Sequence, residues 1–225
     1  MKIYRFIAYI FQTILYFIFY PLLAFFLNLK INGLEKLKEY KEPYIIAPNH
    51  SSSLDSFIVL VIFYKKLKYL PIYSVTKDDK LCKKDFGWLS IIYNKYIFRF
   101  FAGYPVYYGQ RDYKKSLINH IGFIKDGYSV CIFPEGKISE DGKLNEARGG
   151  ACFLSQETNT PIIPVAIKGL YKMNFWDFIK RKRKVTVTIC SPTKVENNEK
   201  ISSPDDTLYF KKHSQSILEI IKKFL

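Results

Sequence analysis

The chain of 225 residues is 48% hydrophobic and 17% aromatic, which excludes disorder and allows one domain with a sizeable core. A formal net charge of +15 asks for an anionic partner, whether a nucleic acid, an acidic membrane surface or a phosphorylated substrate. Four cysteines (Cys82, Cys131, Cys152, Cys190) without a C-x-x-C pair, and three scattered histidines, speak against a metal site and for reduced, buried thiols in a reducing compartment.

From Phe6 to Leu27 no residue is charged, and only Gln12 and Thr13 are clearly polar. As a helix this run measures ~33 Å, enough to cross a hydrocarbon core. Pro21 could instead divide it into a bent hairpin lying in one leaflet, so both arrangements stay open. The run is too long for a signal-peptide core, and no small-residue cleavage site follows it. Lys2 and Arg5 stand before it and Lys30, Lys36, Lys38 and Lys41 after it; the heavier downstream charge favours a main domain on the cytoplasmic side. Residues 1–32 therefore read as a membrane-anchoring segment and residues 33–225 as one domain, with no internal repeat or long linker.

Tyr44 to Pro48 reads as a short buried strand. Next come Asn49-His50-Ser51-Ser52-Ser53-Leu54-Asp55 and an apolar segment to Tyr64, predicted to be a helix that starts at Asp55 or Ser56. A histidine that takes up a proton needs a carboxylate to fix its tautomer and stabilise the imidazolium. Residues five apart in one helix diverge by ~140°, so His50 and Asp55 can meet only if the chain bends between them. A loop histidine, an aspartate in the first helical turn and serines as caps would provide that bend. A polar turn with a solvated histidine is the plainer alternative.

Lys68 to Val75 reads as a strand broken by Pro71, Gly87 to Phe101 as an aromatic-rich helix, and Tyr104 to Tyr108 as a strand. Leu117, Ile118, Ile121 and Ile124 mark a helix face that ends near Gly127. The strand Ser129 to Phe133 runs into Pro134-Glu135-Gly136, a carboxylate pinned between two special backbone residues; Gly136 lets a backbone N–H approach a ligand. A helix over Gly150 to Glu157, strands over Ile162 to Ile167 and Val185 to Cys190, and a basic amphipathic helix over Leu208 to Leu225 complete the chain, the last with Ile217, Leu218, Ile221 and Leu225 facing inward. Such alternation predicts an α/β fold, a mainly parallel sheet covered by helices, with chemistry gathered where strands end. Phe175-Trp176-Asp177-Phe178 followed by Lys180-Arg181-Lys182-Arg183-Lys184 joins interfacial aromatics to a cationic run, which suits an anionic bilayer surface. No nucleic-acid module accompanies it, and an exposed loop is the simpler reading.

N-H-x-x-x-x-D at Asn49 to Asp55 and F-P-E-G at Phe133 to Gly136, in that order and spacing, resemble the glycerolipid acyltransferase family, whose best-known members make phosphatidic acid from lysophosphatidic acid. The resemblance runs from Ile45 to Ile167 and includes Ile163-Pro164-Val165-Ala166-Ile167, similar to the family's fourth block. It implies His50 as general base, Asp55 as its orienting partner, and Glu135 and Gly136 in the block tied to acceptor binding. Two basic positions depart: the usual Thr-Arg-Ser is Lys137-Ile138-Ser139, and Tyr108 stands where the second block usually has Arg, with Arg111 three residues on. Lys77 fits a lysine before that second block, Gly87 a glycine after that lysine, and Arg148 a basic position after the third. Lys77, Arg111, Lys137 and Arg148 are thus candidates for substrate phosphates.

The expected reaction is direct transfer of a fatty acyl group from acyl-CoA or acyl-carrier protein to a lysophospholipid hydroxyl, with lysophosphatidic acid first among acceptors. No cofactor beyond that thioester, no metal and no nucleic-acid partner is expected. The N–H groups of Gly136 and of the turn after His50 are candidates for the oxyanion. The three serines also invite a covalent Ser–His reading, but capping explains them more simply. Glycerol 3-phosphate, another lysolipid or a lyso-aminolipid are the alternative acceptors, and a non-catalytic lipid-binding or scaffold protein is the alternative class.

Overall fold

Ile45, Ile46 and Ala47 are fully buried, yet they belong to two apolar clusters, Ile45 and Ala47 to one and Ile46 to the other. Successive side chains of a strand leave opposite faces, so a strand covered on both faces is apolar at every position. The computed structural model, which describes residues 2–37, 43–63, 70–76, 99, 101–107, 112–195 and 206–225, places this strand at the centre of the sheet.

In chain order the elements are α1 (Lys2–Phe26), β1 (Lys30–Asn32), a 3-10 turn (Leu34–Leu37), β2 (Ile45–Pro48), α2 (Asp55–Phe63), β3 (Tyr73–Thr76), β4 (Gly103–Pro105), α3 (Tyr113–Ser116), α4 (Ile118–Lys125), β5 (Val130–Cys131), α5 (Gly150–Thr158), β6 (Ile162–Lys168), α6 (Phe175–Ile179), β7 (Thr186–Ile189) and α7 (Asp206–Lys222). Among the described residues the sheet has seven strands in the order β1-β7-β6-β2-β5-β3-β4. Neighbours are parallel except β6 and β7, so β1 and β7 run against the other five. The fold is therefore the mainly parallel α/β sheet expected from the alternation of elements. On one face lie α1 and α2, with Leu23, Leu27 and Ile58 to Phe63 buried; on the other lie α4, α5 and α7, with Ile121, Leu154, Leu218 and Ile221 buried. Each such side chain contributes about 1.5–3 kcal/mol by leaving water, which is what holds the layers together.

Three differences from the predicted elements have physical causes. Pro21 sits inside one continuous helix and does not divide it. Leu15 before it and Leu23 after it are both buried against the domain, and such packing offsets the ~3 kcal/mol that proline costs a helix interior. The edge strand β1 falls within the stretch read as anchor and is too short, at three residues, to show a period. The strand before residue 134 is only Val130–Cys131, the chain bending into the site sooner than its apolar run suggested. Residues 87–98 of the predicted aromatic-rich helix lie outside the described residues.

The topology creates a crevice. From β2 the chain passes through α2 to β3, beyond β5; from β5 it passes through α5 to β6, beyond β2. The two crossovers leave in opposite directions, and a cleft opens between the carboxyl ends of the two strands, where α/β sheets hold ligands.

Candidate active site

Register sets the first pairing. Ile45 lies opposite Val130 and Ile46 opposite Cys131, so the same offset carried onward sets His50 opposite Glu135. The His50 backbone N–H donates to Glu135 Oε1 at 2.7 Å. Asn145 donates to Glu135 Oε2 twice, from its backbone at 2.7 Å and from its side chain at 2.9 Å. Glu135 is thus a buried carboxylate with both oxygens engaged by the protein's own donors, tying together the loops after β2 and β5. Burial pushes its carboxyl above the ordinary value of 4.5, while the N–H groups of Asn145 and His50 pull the other way.

Asp55, the first residue of α2, is fully buried. Its Oδ2 accepts from Ser51 N–H at 2.6 Å and Ser52 N–H at 2.7 Å and lies 3.1 Å from His50 Nδ1. The chain therefore bends as the spacing required, and the carboxylate both caps its own turn and holds the imidazole. With Nδ1 donating to Asp55, Nε2 keeps its lone pair, and His50 borders the cleft. The ring stacks on Phe133, centroids 3.9 Å apart and planes 21° apart, so its tilt is fixed from the β5 side. Asn49, buried beside it, bonds the peptide of Ile167 through both side-chain atoms, at 3.0 and 2.7 Å, which locks the end of β2 to β6.

Among the described residues no hydroxyl of Ser51, Ser52 or Ser53 bonds His50. Ser52 acts locally: its hydroxyl accepts from Leu54 N–H at 3.2 Å and its carbonyl from Asp55 N–H at 3.2 Å, the capping role. Most of the oxyanion candidates are already engaged within the protein, the Ser53 N–H excepted among the described residues. The N–H groups of Ser51 and Ser52 are taken by Asp55, that of His50 by Glu135, and that of Gly136 donates to Phe133 O at 3.0 Å.

Gly136 has φ +66°, and a Cβ there would come 2.5 Å from Arg148 Cδ. Arg148 is held next to it by its own N–H, which donates to Pro134 O at 2.7 Å. Lys137 and Arg148 border a second cleft, of about 430 Å³, which shares Glu135 with the one beside His50. Lys77 and Arg111 lie outside the described residues. The structure therefore brings together His50, Asp55, Glu135, Gly136, Lys137 and Arg148. Asn145 and Asn49 went unmarked as supports: Asn49 is fixed by Ile167 of β6, far away in sequence, and Asn145 reaches Glu135 across an irregular loop that carries no periodic pattern. Gly136→Ala is expected to cost about 1–2 kcal/mol through the left-handed backbone and to push Arg148 aside. A thermal melt and the acceptor KM check it; unchanged values for both would show that the turn tolerates a side chain.

The Acyltransferase family model matches residues 28–168, more than half of the chain. A chloroplastic 1-acyl-sn-glycerol-3-phosphate acyltransferase of Brassica napus is 26% identical over 178 residues, covering 76% of this chain and 44% of the relative. The 1-acyl-sn-glycerol-3-phosphate acyltransferase of Saccharomyces cerevisiae is 28% identical over 156 residues, 63% of this chain and 43% of the relative. This chain spans about half the length of the curated relatives it matches. Among solved structures, the 1-acyl-sn-glycerophosphate (LPA) acyltransferase PlsC from Thermotoga maritima superposes with a TM-score of 0.60 at 20% identity, covering 96% of this chain and 76% of that one, a likeness of fold.

Proposed function

Because the chain belongs to the glycerolipid acyltransferase family, we propose that it transfers a fatty acyl group from a thioester to a lysophospholipid hydroxyl, with lysophosphatidic acid as acceptor and phosphatidic acid as product. The observation that carries the chemistry is the 3.1 Å contact between His50 Nδ1 and Asp55 Oδ2 at the mouth of the crevice. An alcohol is a weak nucleophile at neutral pH and needs a base in reach during attack. His50 Nε2 takes the hydroxyl proton as the oxygen bonds to the acyl carbon, and Asp55 stabilises the imidazolium. The C–S bond then breaks, and the proton passes to the departing thiolate. Glu135 acts as a positioning residue, and Lys137 and Arg148 receive the acceptor's phosphate. The donor is acyl-CoA or acyl-carrier protein.

The names of the relatives support the acceptor. One feature favours a second reading: Ile138, 43% exposed, stands where the family carries Arg, which suits a different head group. Purified protein in vesicles, given labelled palmitoyl-CoA or palmitoyl-carrier protein and a panel of lysolipids, tests both. Preferred turnover of lysophosphatidic acid upholds the first reading, preferred turnover of another lysolipid upholds the second, and no turnover of any acceptor sinks the reaction.

The membrane is met by α1 lying on the surface. Its window Arg5–Phe26 has a mean hydropathy of 1.8, and only 22% of its most apolar part is buried within the protein. Yet the helix is stapled to the domain along its length. Arg5 pairs with Asp126, Gln12 bonds both the N–H and the C=O of Ile72 at 2.9 Å, and Leu23 and Leu27 enter the core. A helix fastened at both ends and its middle to one domain cannot cross a bilayer while that domain stays in water, so its exposed Phe17, Ile18, Leu22 and Phe25 rest in one leaflet, and the heavier positive charge after residue 27 favours the cytoplasmic one. The α6 patch continues that face: Phe26 packs on Phe178 at 4.9 Å, and Arg181 bonds Phe25 O at 3.1 Å. Asp177, the carboxylate of α6, is paired with Arg183 at 3.0 Å, leaving exposed Trp176, with Lys180 Nζ 5.8 Å from its ring centroid, and exposed Lys182 for anionic lipid. Ile18→Asp with Trp176→Ala is expected to release the protein from phosphatidylglycerol vesicles in a flotation assay while the fold persists. Undiminished flotation would remove this face from the membrane.

A further inference from the structure

The cleft bordered by Lys137 and Arg148 has a third cation on its rim, Lys211 of α7. Residue 211 lies outside the segment 28–168 that matches the family model and is part of none of the motifs quoted above. We propose that Lys211 is a specificity-determining residue that, with Lys137 and Arg148, holds the phosphate group of a substrate, an inference that rests on the acyl-transfer reading.

Packing fixes the position. Phe210 is 4% exposed and sits over Gly149, where a Cβ would come 2.5 Å from the Phe210 Cβ and 2.6 Å from the Tyr113 hydroxyl. Having no side chain at 149 is what lets α7 descend on the residue next to Arg148. Tyr113 and Phe153 enclose the same ring, with centroids 5.8 and 5.5 Å away. Four residues beyond Lys211, and so on the same face of the helix, Gln215 Oε1 accepts from Ala147 N–H at 3.2 Å. Lys211 is thereby carried on the side of α7 that meets the loop leading to Arg148.

The charge balance points to an anion. Three cations face two carboxylates on this cleft; both oxygens of Glu135 accept N–H groups, and among the described residues neither Glu135 nor Glu146 forms an ion pair with any of the three cations. Lys137 is shared with Glu140 at 3.6 Å, whereas Arg148 and Lys211 make no ion pair among the described residues. Two such cations on one rim repel each other, and a phosphate dianion bound in the cleft reverses that energy and accepts from both. With Ile138 in the third block carrying no charge, the C-terminal helix supplies the cation from another part of the chain.

The test compares Lys211→Ala, Lys211→Glu and Lys211→Arg with Lys125→Ala, a substitution on the exposed side of α4. Glycerol 3-phosphate titrated into the protein and followed by ³¹P NMR is expected to bind about tenfold more weakly to Lys211→Ala, more weakly still to Lys211→Glu, and near normally to Lys211→Arg and Lys125→Ala. In turnover with lysophosphatidic acid and palmitoyl-CoA, a rise in acceptor KM at constant kcat places the lipid phosphate at Lys211, and a rise in donor KM places a coenzyme phosphate there. Monoacylglycerol, which lacks a phosphate, should be acylated equally by wild type and variants if the acceptor arm responds. An unchanged ³¹P titration in Lys211→Ala and Lys211→Glu, or no binding to wild type, overturns the proposal. Lys211-dependent binding without acyl transfer to lysophosphatidic acid leaves the anion site standing and removes the reaction assigned above.

Discussion

His50→Ala is expected to lower kcat for acyl transfer by roughly 10²–10⁴-fold, the usual worth of a positioned general base, while vesicle binding is retained. The ring's removal also costs the stacking on Phe133, about 1 kcal/mol, so the melting temperature should fall by only a few degrees. Asp55→Asn separates charge from shape. With its amide oxygen in place of Oδ2, asparagine can still accept from Ser51, Ser52 and the imidazole, and its NH₂ would occupy the place of Oδ1, which has no hydrogen-bond partner among the described residues. The bend survives and the stabilising charge does not, so kcat should fall while the fold holds. Steady-state assays beside circular-dichroism melts read both. His50→Ala keeping more than a tenth of wild-type kcat would end the general-base assignment.

What could be read from the chain in advance divides along the line between local and non-local interactions. The meeting of His50 and Asp55 was legible because five residues decide it: a helix start, an acidic first-turn residue and small polar caps. The sheet was legible where strands are buried on both faces, as in Ile162 to Ile167, since every position is then apolar. Strand β1 was not, because Lys30–Asn32 owes its place to pairing with Thr186–Thr188 rather than to its own pattern. Residues 6–27 left span and surface arrangement open because nothing local marks Gln12 as paired with the Ile72 peptide or Arg5 with Asp126, the contacts that fasten the helix to the domain. Which of the oxyanion candidates are already engaged was hidden for the same reason. An N–H is free or engaged according to partners such as Asp55 and Phe133 O, and a motif does not record which.

Glu135→Gln should be nearly as damaging as removal of the base, although it changes one atom and the side chain touches no reacting group. Three N–H donors converge on the carboxylate, one from His50 and two from Asn145. A glutamine has one accepting oxygen and one NH₂. If the oxygen faces Asn145, the NH₂ meets the His50 N–H; if it faces His50, the NH₂ meets both Asn145 donors. Either choice sets donor against donor in a buried place, at about 1–3 kcal/mol per unpaired group, and moves one of the two loops that form the crevice. A displacement of ~1 Å at His50 is enough for about a hundredfold loss in kcat. The pH dependence has a definite sign. Burial raises the folded-state value above the ordinary 4.5, so the folded protein holds this proton more tightly than the unfolded chain. The stability this residue contributes is therefore fully present below 4.5 and is lost as pH rises from there through the raised value. The melting-temperature difference between wild type and Glu135→Gln, which does not titrate, should accordingly shift in favour of wild type on acidification through that window. Activity should move oppositely, because a protonated carboxyl turns one acceptor into a donor and disturbs the same loops. A Glu135→Gln protein with wild-type kcat and a pH-independent melting difference would show that register alone, without this carboxylate, holds His50 in place.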